Sequence, residues 1–225
     1  MRKLSATYIF PGNRPPLKNG ILVCDDDGSI LDVTDTGGIV MEQPGMEYYS
    51  GILVPGLINT YGRWEHSHLK GKTPEEPGLD KFPGHNDELI NCWQGDIRKF
   101  KNRPDSAPVF FVLCPNARGN IESHLQQVLL YQRKGIIICL GTDNPDPNHE
   151  RSVLKEMITI HQYSPSIAMQ DLIEWACING ARALGLEKKL GSFDRGKTPG
   201  INLITGMDLK NLKLTSISRV KKMIH

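Results

Sequence analysis

The stretch VFFVLCPNARGNIESHLQQVLLYQRKGIIICLGTD, residues 109–143, decides the fold class. Val109 to Leu113 and Gly135 to Leu140 are short, continuous apolar runs rich in β-branched and aromatic residues, as strands buried on both faces are. Between them, Ile121 to Arg133 has the length of a helix. Strand, helix, strand at this spacing is a βαβ unit, which makes the strands parallel neighbours with a right-handed crossover. Asp143 follows the second strand directly, at its carboxyl end, where parallel α/β folds place catalytic groups. A carboxylate there can ligate a metal or accept a proton. It can equally cap a turn, because Asp143-Asn144-Pro145 is good turn sequence. Cys114-Pro115-Asn116-Ala117 occupies the same place after the first strand.

Upstream, the first fifty residues read as short strands. Gly20 to Cys24 and Ser29 to Val33 are apolar runs joined by Asp25-Asp26-Asp27-Gly28, and Asp-Gly between such runs signals a hairpin. Gly51 to Asn59 is nearly continuous apolar sequence, with Pro55 predicting a bend or an edge position. Downstream, one helix is expected over about 151–162, burying Val153, Leu154, Met157 and Ile158. A second carries Leu172, Ile173, Ala176, Cys177, Gly180, Ala181 and Leu184, with Gly185 as its stop. Gly200 to Ile204 is strand-like, and the basic end with Lys221, Lys222 and His225 reads as a frayed, solvated terminus. Residues 64–108 hold prolines at 74, 77, 83, 104 and 108 and no long apolar run; Glu88 to Phe100 can form one helix.

The chain has 225 residues, with 27 basic and 25 acidic side chains. A net charge of +2 gives no reason to expect nucleic acid or an anionic membrane as partner. No apolar run is long enough to span a bilayer, and the start lacks the apolar core of a signal peptide. The five cysteines form no CxxC pair, and reduced, buried cysteine in a cytoplasmic protein is the expectation.

Gly191-Ser-Phe-Asp-Arg-Gly-Lys-Thr198 matches the phosphate-binding pattern GxxxxGK[ST]. That chemistry needs a buried strand before the loop and a helix after it, so that helix-terminal N–H groups face the phosphates. Here a helix precedes, and Thr198-Pro199-Gly200 cannot start one, so Lys197 is expected to be a solvated turn residue without a nucleotide. His66 and His68 stand at i, i+2, on one face of an extended segment. Neutral imidazoles suit zinc or iron, but two ligands do not make a site. His85 follows Pro83-Gly84. His124, His149 and His161 read as surface or helix-end residues.

Several of these segments together resemble the amidohydrolase superfamily, in its cytosine-deaminase and chlorohydrolase-like branch. Gly51 to Thr60, with Glu65 and Ser67 to Gly71, resembles the first barrel strand. Leu113 to Ala117 resembles the seventh, Leu140 to Asp143 the eighth, and Trp175 to Leu186 the closing helix. Gly191 to Leu203 is similar to the segment that returns to the family's small β-domain, which accounts for the phosphate-loop match. The resemblance implies a (β/α)8 barrel and a divalent metal, zinc or iron, activating water for attack on a carbon–nitrogen bond other than a peptide bond, as a deaminase does on an amino-heterocycle. It implies Asp143 as metal ligand and proton acceptor, with His85 as a further ligand candidate; His66 and His68, displaced by five residues from the family's HxH, are ligand candidates on residue type alone.

The sequence departs from the pattern at the first strand, where the family's HxH metal pair falls on Tyr61 and Arg63. Residues 51–186 are also fewer than the ~200 or more that a whole barrel uses. The expected architecture is therefore α/β: a partial TIM-like barrel over 51–186, with a small β-domain built from 1–50 and 187–225. The alternative to a hydrolase is a catalytically inactive remnant serving as a binding or oligomerising module. Open strand edges predict a homo-oligomer.

Overall fold

The computed structural model describes residues 1–60, 108–116, 121–142 and 152–224. The helix expected over 88–100 lies outside them. The described strands are β1 (Arg2–Ile9), β2 (Leu17–Lys18), β3 (Ile21–Cys24), β4 (Ile30–Thr34), β5 (Met46–Pro55), β6 (Phe110–Leu113), β7 (Ile137–Leu140), β8 (Ile201–Thr205) and β9 (Arg219–Ile224). The described helices are α1 (Ile121–Arg133), α2 (Val153–Tyr163), α3 (Met169–Ala176) and α4 (Ile178–Ala183).

Seven strands form one mixed sheet in the order β4-β3-β1-β5-β8-β9, with β2 paired to β1. The Asp-Gly hairpin is present: β3 and β4 pair antiparallel, and Gly28 has φ +84°. β5 is central, parallel to β1 and antiparallel to β8. Its continuous apolar run follows from burial on both faces. Ile52 and Val54 pack into the cluster shared with the helices, while Leu53 packs with Leu4, Ile9, Leu22 and Phe193 on the other face. Pro55 ends this central strand rather than marking an edge. Leu53 bonds toward β1, accepting the Phe10 N–H at 2.8 Å. By alternation Pro55 turns its donorless nitrogen to that same side, where the β1–β5 pairing ends. Where the β1–β5 register shifts, Gly51 adopts φ +149°, and a Cβ there would lie 2.4 Å from the Ile204 carbonyl oxygen.

The βαβ unit forms as the sequence predicts: β6 and β7 are parallel, joined through α1. Phe111 and Tyr131 meet edge to face at 5.2 Å, tying strand to helix. α2 starts at an N-cap, Ser152, whose side chain accepts the Lys155 N–H. It buries Val153, Leu154, Met157 and Ile160; Ile158 is only partly buried.

Three expectations need correction. The helix expected across 172–184 is two helices broken at Cys177 (φ −122°, ψ −85°), and the Ala176 carbonyl accepts the Ile58 N–H at 2.8 Å. The basic end is not frayed: Arg219–Ile224 is β9, paired along β8. His161 is a helix-end residue, in the last turn of α2, but it is buried rather than on the surface, with Nδ1 accepting the Leu214 N–H and Nε2 donating to the Ile167 carbonyl, both at 3.1 Å. Since Nδ1 accepts, the proton sits on Nε2. Among the described residues no helix is long and apolar enough to cross a membrane.

Candidate functional site

After Pro55 the chain leaves the ladder and runs beside the end of β7. The Thr60 N–H and hydroxyl both donate to the Leu140 carbonyl, at 3.0 and 2.7 Å. Asn59 and Thr142 bond reciprocally: the Asn59 amide donates to the Thr142 hydroxyl at 2.8 Å, and the Thr142 N–H donates to Asn59 Oδ1 at 3.0 Å. The β6 end joins the same edge, with the Gly141 N–H donating to the Leu113 carbonyl at 3.0 Å. The carboxyl ends of three segments, 56–60, β6 and β7, thus stand side by side.

α2 packs polar groups onto this end. Glu156, 4% exposed, accepts the Asn116 N–H at 2.8 Å, and the Thr159 hydroxyl donates to Asn116 Oδ1 at 2.9 Å. Burial pushes the Glu156 carboxyl up to about 7, although the Asn116 hydrogen bonds oppose the shift. Sequence reasoning missed Glu156. Its signal was a carboxylate on the apolar stripe of α2, three residues after Val153 and four before Ile160.

Asp143 directly follows Thr142 in the sequence but lies outside the described residues, as do His66, His68, His85, Tyr61 and Arg63. Among the described residues no three His, Cys, Asp or Glu side chains cluster as a metal site. The described strand ends instead offer amide and hydroxyl groups, several already bonded to one another, with the Glu156 carboxylate beside them. Those described groups alone do not make up a zinc or iron ligand set.

The phosphate-loop match is structural. Lys197 is not a solvated turn residue: its side chain is 14% exposed, 2.9 Å from Asp194 Oδ2 and 2.6 Å from Ser192 Oγ. The Ser192 hydroxyl donates to Asp194 at 2.7 Å, and the Asn13 amide reaches both carboxylate oxygens at 2.9 and 3.1 Å. Burial alone would raise the Asp194 carboxyl, yet bonds from Lys197, Ser192 and Asn13 hold it at about 2. β8 rather than a helix follows this loop. A separate open cleft, between Gly56, Leu190, Pro199 and Lys222, involves none of the strand-end side chains.

A sequence model of the amidohydrolase family matches residues 92–224. The 5-methylthioadenosine/S-adenosylhomocysteine deaminase of Saccharophagus degradans is 32% identical over 117 residues, which cover 49% of this chain and 26% of that protein. The match thus spans about a quarter of the relative's length. An amidohydrolase from Thermotoga maritima superposes with a TM-score of 0.55 at 12% identity, covering 100% of this chain and 98% of that one. A zinc-bound adenosine deaminase from Xanthomonas campestris gives a TM-score of 0.51 at 12% identity, covering 95% and 88%. At these identities the two structures speak to the fold alone.

Proposed function

The chain belongs to the amidohydrolase family, and from that premise we propose that it carries the small-molecule end of a deaminase-type site without hydrolysing its ligand as a single chain. The observation that carries this reading is the reciprocal Asn59–Thr142 pair. It sets the end of the 56–60 segment against the end of β7, one residue before Asp143. Such an end of adjacent strands is where parallel α/β enzymes hold their substrates. The deaminase relative supports an amino-heterocycle as the ligand class.

In this proposal Asp143 is the proton acceptor and the first metal ligand, with His85, His66 and His68 as further ligand candidates. The metal rests on those four residues alone, because the described strand ends supply no ligand set for it. Zinc or iron, when bound in such a site, supplies activated water for attack on the carbon–nitrogen bond. The reading without turnover is favoured by Tyr61 and Arg63, which stand where the family pattern has two histidines. Residues 1–50 with 187–225 make the small β-domain in this proposal, and 51–186 the shortened barrel region. The open edges of a partial barrel favour self-association.

The test combines metal content of the purified chain by mass spectrometry, calorimetric binding of adenine and cytosine nucleosides, and a metal-supplemented turnover assay. Binding without turnover is expected. Failure to bind any amino-heterocycle overturns the site. Robust turnover abolished by Asp143→Ala replaces the reading with that of a working hydrolase.

A further inference from the structure

The chain between β8 and β9, residues 206–218, is a strap laid over the helices, and it is bonded first of all to itself. Asp208 and Lys213 exchange backbone hydrogen bonds at 2.9 and 3.0 Å, and the Asp208 carboxylate accepts the Lys210 and Asn211 N–H groups inside that turn. At its base the Thr215 and Ser218 hydroxyls both donate to the Gly206 carbonyl, at 2.7 and 3.0 Å. Such a unit can lift as one piece, since lifting breaks none of these bonds. Its apolar side chains Met207, Leu209, Leu212 and Leu214 pack against the cluster that the helices bury. Its polar ties to α2 and the turn after it are the Leu214 N–H, which donates to His161 Nδ1 at 3.1 Å, and the Lys213 ammonium, which donates to the Pro165 carbonyl.

Both ties meet at one ring, which is 4% exposed. The Nε2 proton of His161 is engaged by the Ile167 carbonyl at 3.1 Å, so an added proton has only Nδ1 to go to. There it turns the acceptor of the Leu214 N–H into a second donor facing a donor. We propose that His161 is an acid-sensitive latch: protonation at Nδ1 releases the strap 206–218 from α2 while β8 and β9 stay paired. The charges around the ring favour release. Among the described residues Lys213 is the charged side chain that acts on the ring, and the cation formed there repels the ammonium that makes the other tie. Asp208 is directed into its own turn, Glu156 of the same helix toward Asn116, and Glu174 of α3 toward Gln170. The 164–168 turn carries no charged side chain, and no carboxylate of the described residues offsets the imidazolium.

Native-state hydrogen exchange of the full-length chain, read amide by amide from about pH 7.5 to about 5, tests this. Protection of the Leu214 amide, taken against its unstructured rate, should be constant above 6.5 and fall about tenfold toward the acid end, as linkage to one proton requires. The amides of β8 should not follow it. His161→Gln keeps an acceptor but cannot titrate, so Leu214 protection should stay flat in that variant. Lys213→Met removes the neighbouring cation and should shrink the acid loss, which keeps the test alive where the glutamine variant folds poorly. Long-range nitrogen–proton spectra of His161 read its tautomer on the unaltered chain. A neutral ring protonated on Nδ1 overturns the proposal. So does Leu214 protection that stays constant over the whole range, or that falls only in step with β8.

Discussion

Lys197 holds Asp194 and Ser192 together, and Asp194 in turn holds Asn13, so this one ammonium joins the N-terminal loop to the segment before β8. Lys197→Ala should lower stability by about 1 kcal/mol in urea denaturation. That is the low end for a charge-assisted pair, because Asp194 is partly exposed. The loss should shrink in an Asp194→Asn background, where the acceptor charge is already gone. Asp194 titrates at about 2 in the fold against an ordinary 3.8, so its contribution is present above 3.8 and lost as pH falls toward 2. The two buried groups of α2 work in opposite directions. Glu156 titrates at about 7 in the fold against 4.5, so the folded state binds the extra proton and stability declines as pH rises through that window. His161 is lowered from 6.5 by burial, so its contribution is present above 6.5 and lost as pH falls through its folded value. Denaturation from pH 4.5 to 7.5 should show Glu156→Gln gaining on the wild type as pH rises. An unchanged difference across that range would mean that Glu156 is not the group titrating.

At the scale of elements, legibility followed how local the deciding interactions are. The βαβ unit and the Asp-Gly hairpin were readable because composition, spacing and turn chemistry agreed within each segment. β9 was not. The end with Lys221, Lys222 and His225 read as a solvated tail, and only antiparallel pairing with β8 makes Arg219–Ile224 a strand, with lysines on a sheet edge as edge strands tolerate. The break between α3 and α4 was hidden for a similar reason. The apolar spacing runs through Cys177, but a distant residue, Gly191, packs onto that turn. A Cβ at Gly191 would lie 2.7 Å from Ala181 Cβ and 2.8 Å from Ile178 Cα, and its φ is +84°. Gly191→Ala should therefore cost at least about 3 kcal/mol, with strain and overlap acting together. An urea midpoint equal to that of the wild type would show that the α3–α4 turn yields easily.

For the whole molecule, the buried parallel strand that ends at Leu140 was legible, whereas Asp143, next but two in the sequence, lies outside the described residues. No ligand set is legible in 64–108, since histidine spacing in a proline-rich stretch carries no register. The chain belongs to the amidohydrolase family, yet its matched stretch covers 26% of the deaminase relative, and its described strand ends offer amide and hydroxyl groups beside one carboxylate, Glu156. Metal-activated water needs about three protein ligands around an open position, plus a group to move the proton. On the proposed reading Tyr61 and Arg63 stand where the family pattern has two neutral imidazoles, so a bound metal would meet the repulsion of the Arg63 cation. Replacing both, Tyr61→His with Arg63→His, exchanges that repulsion for two ligands and should raise zinc uptake measurably above the wild type. Turnover of amino-heterocycles should remain at background in the same protein, because two added imidazoles supply neither the remaining ligand geometry nor a second proton-transfer group. Zinc content by mass spectrometry and ammonia release, read on one preparation, separate the two effects. Ammonia release that rises in step with zinc would show that ligands at 61 and 63 were all that the site lacked.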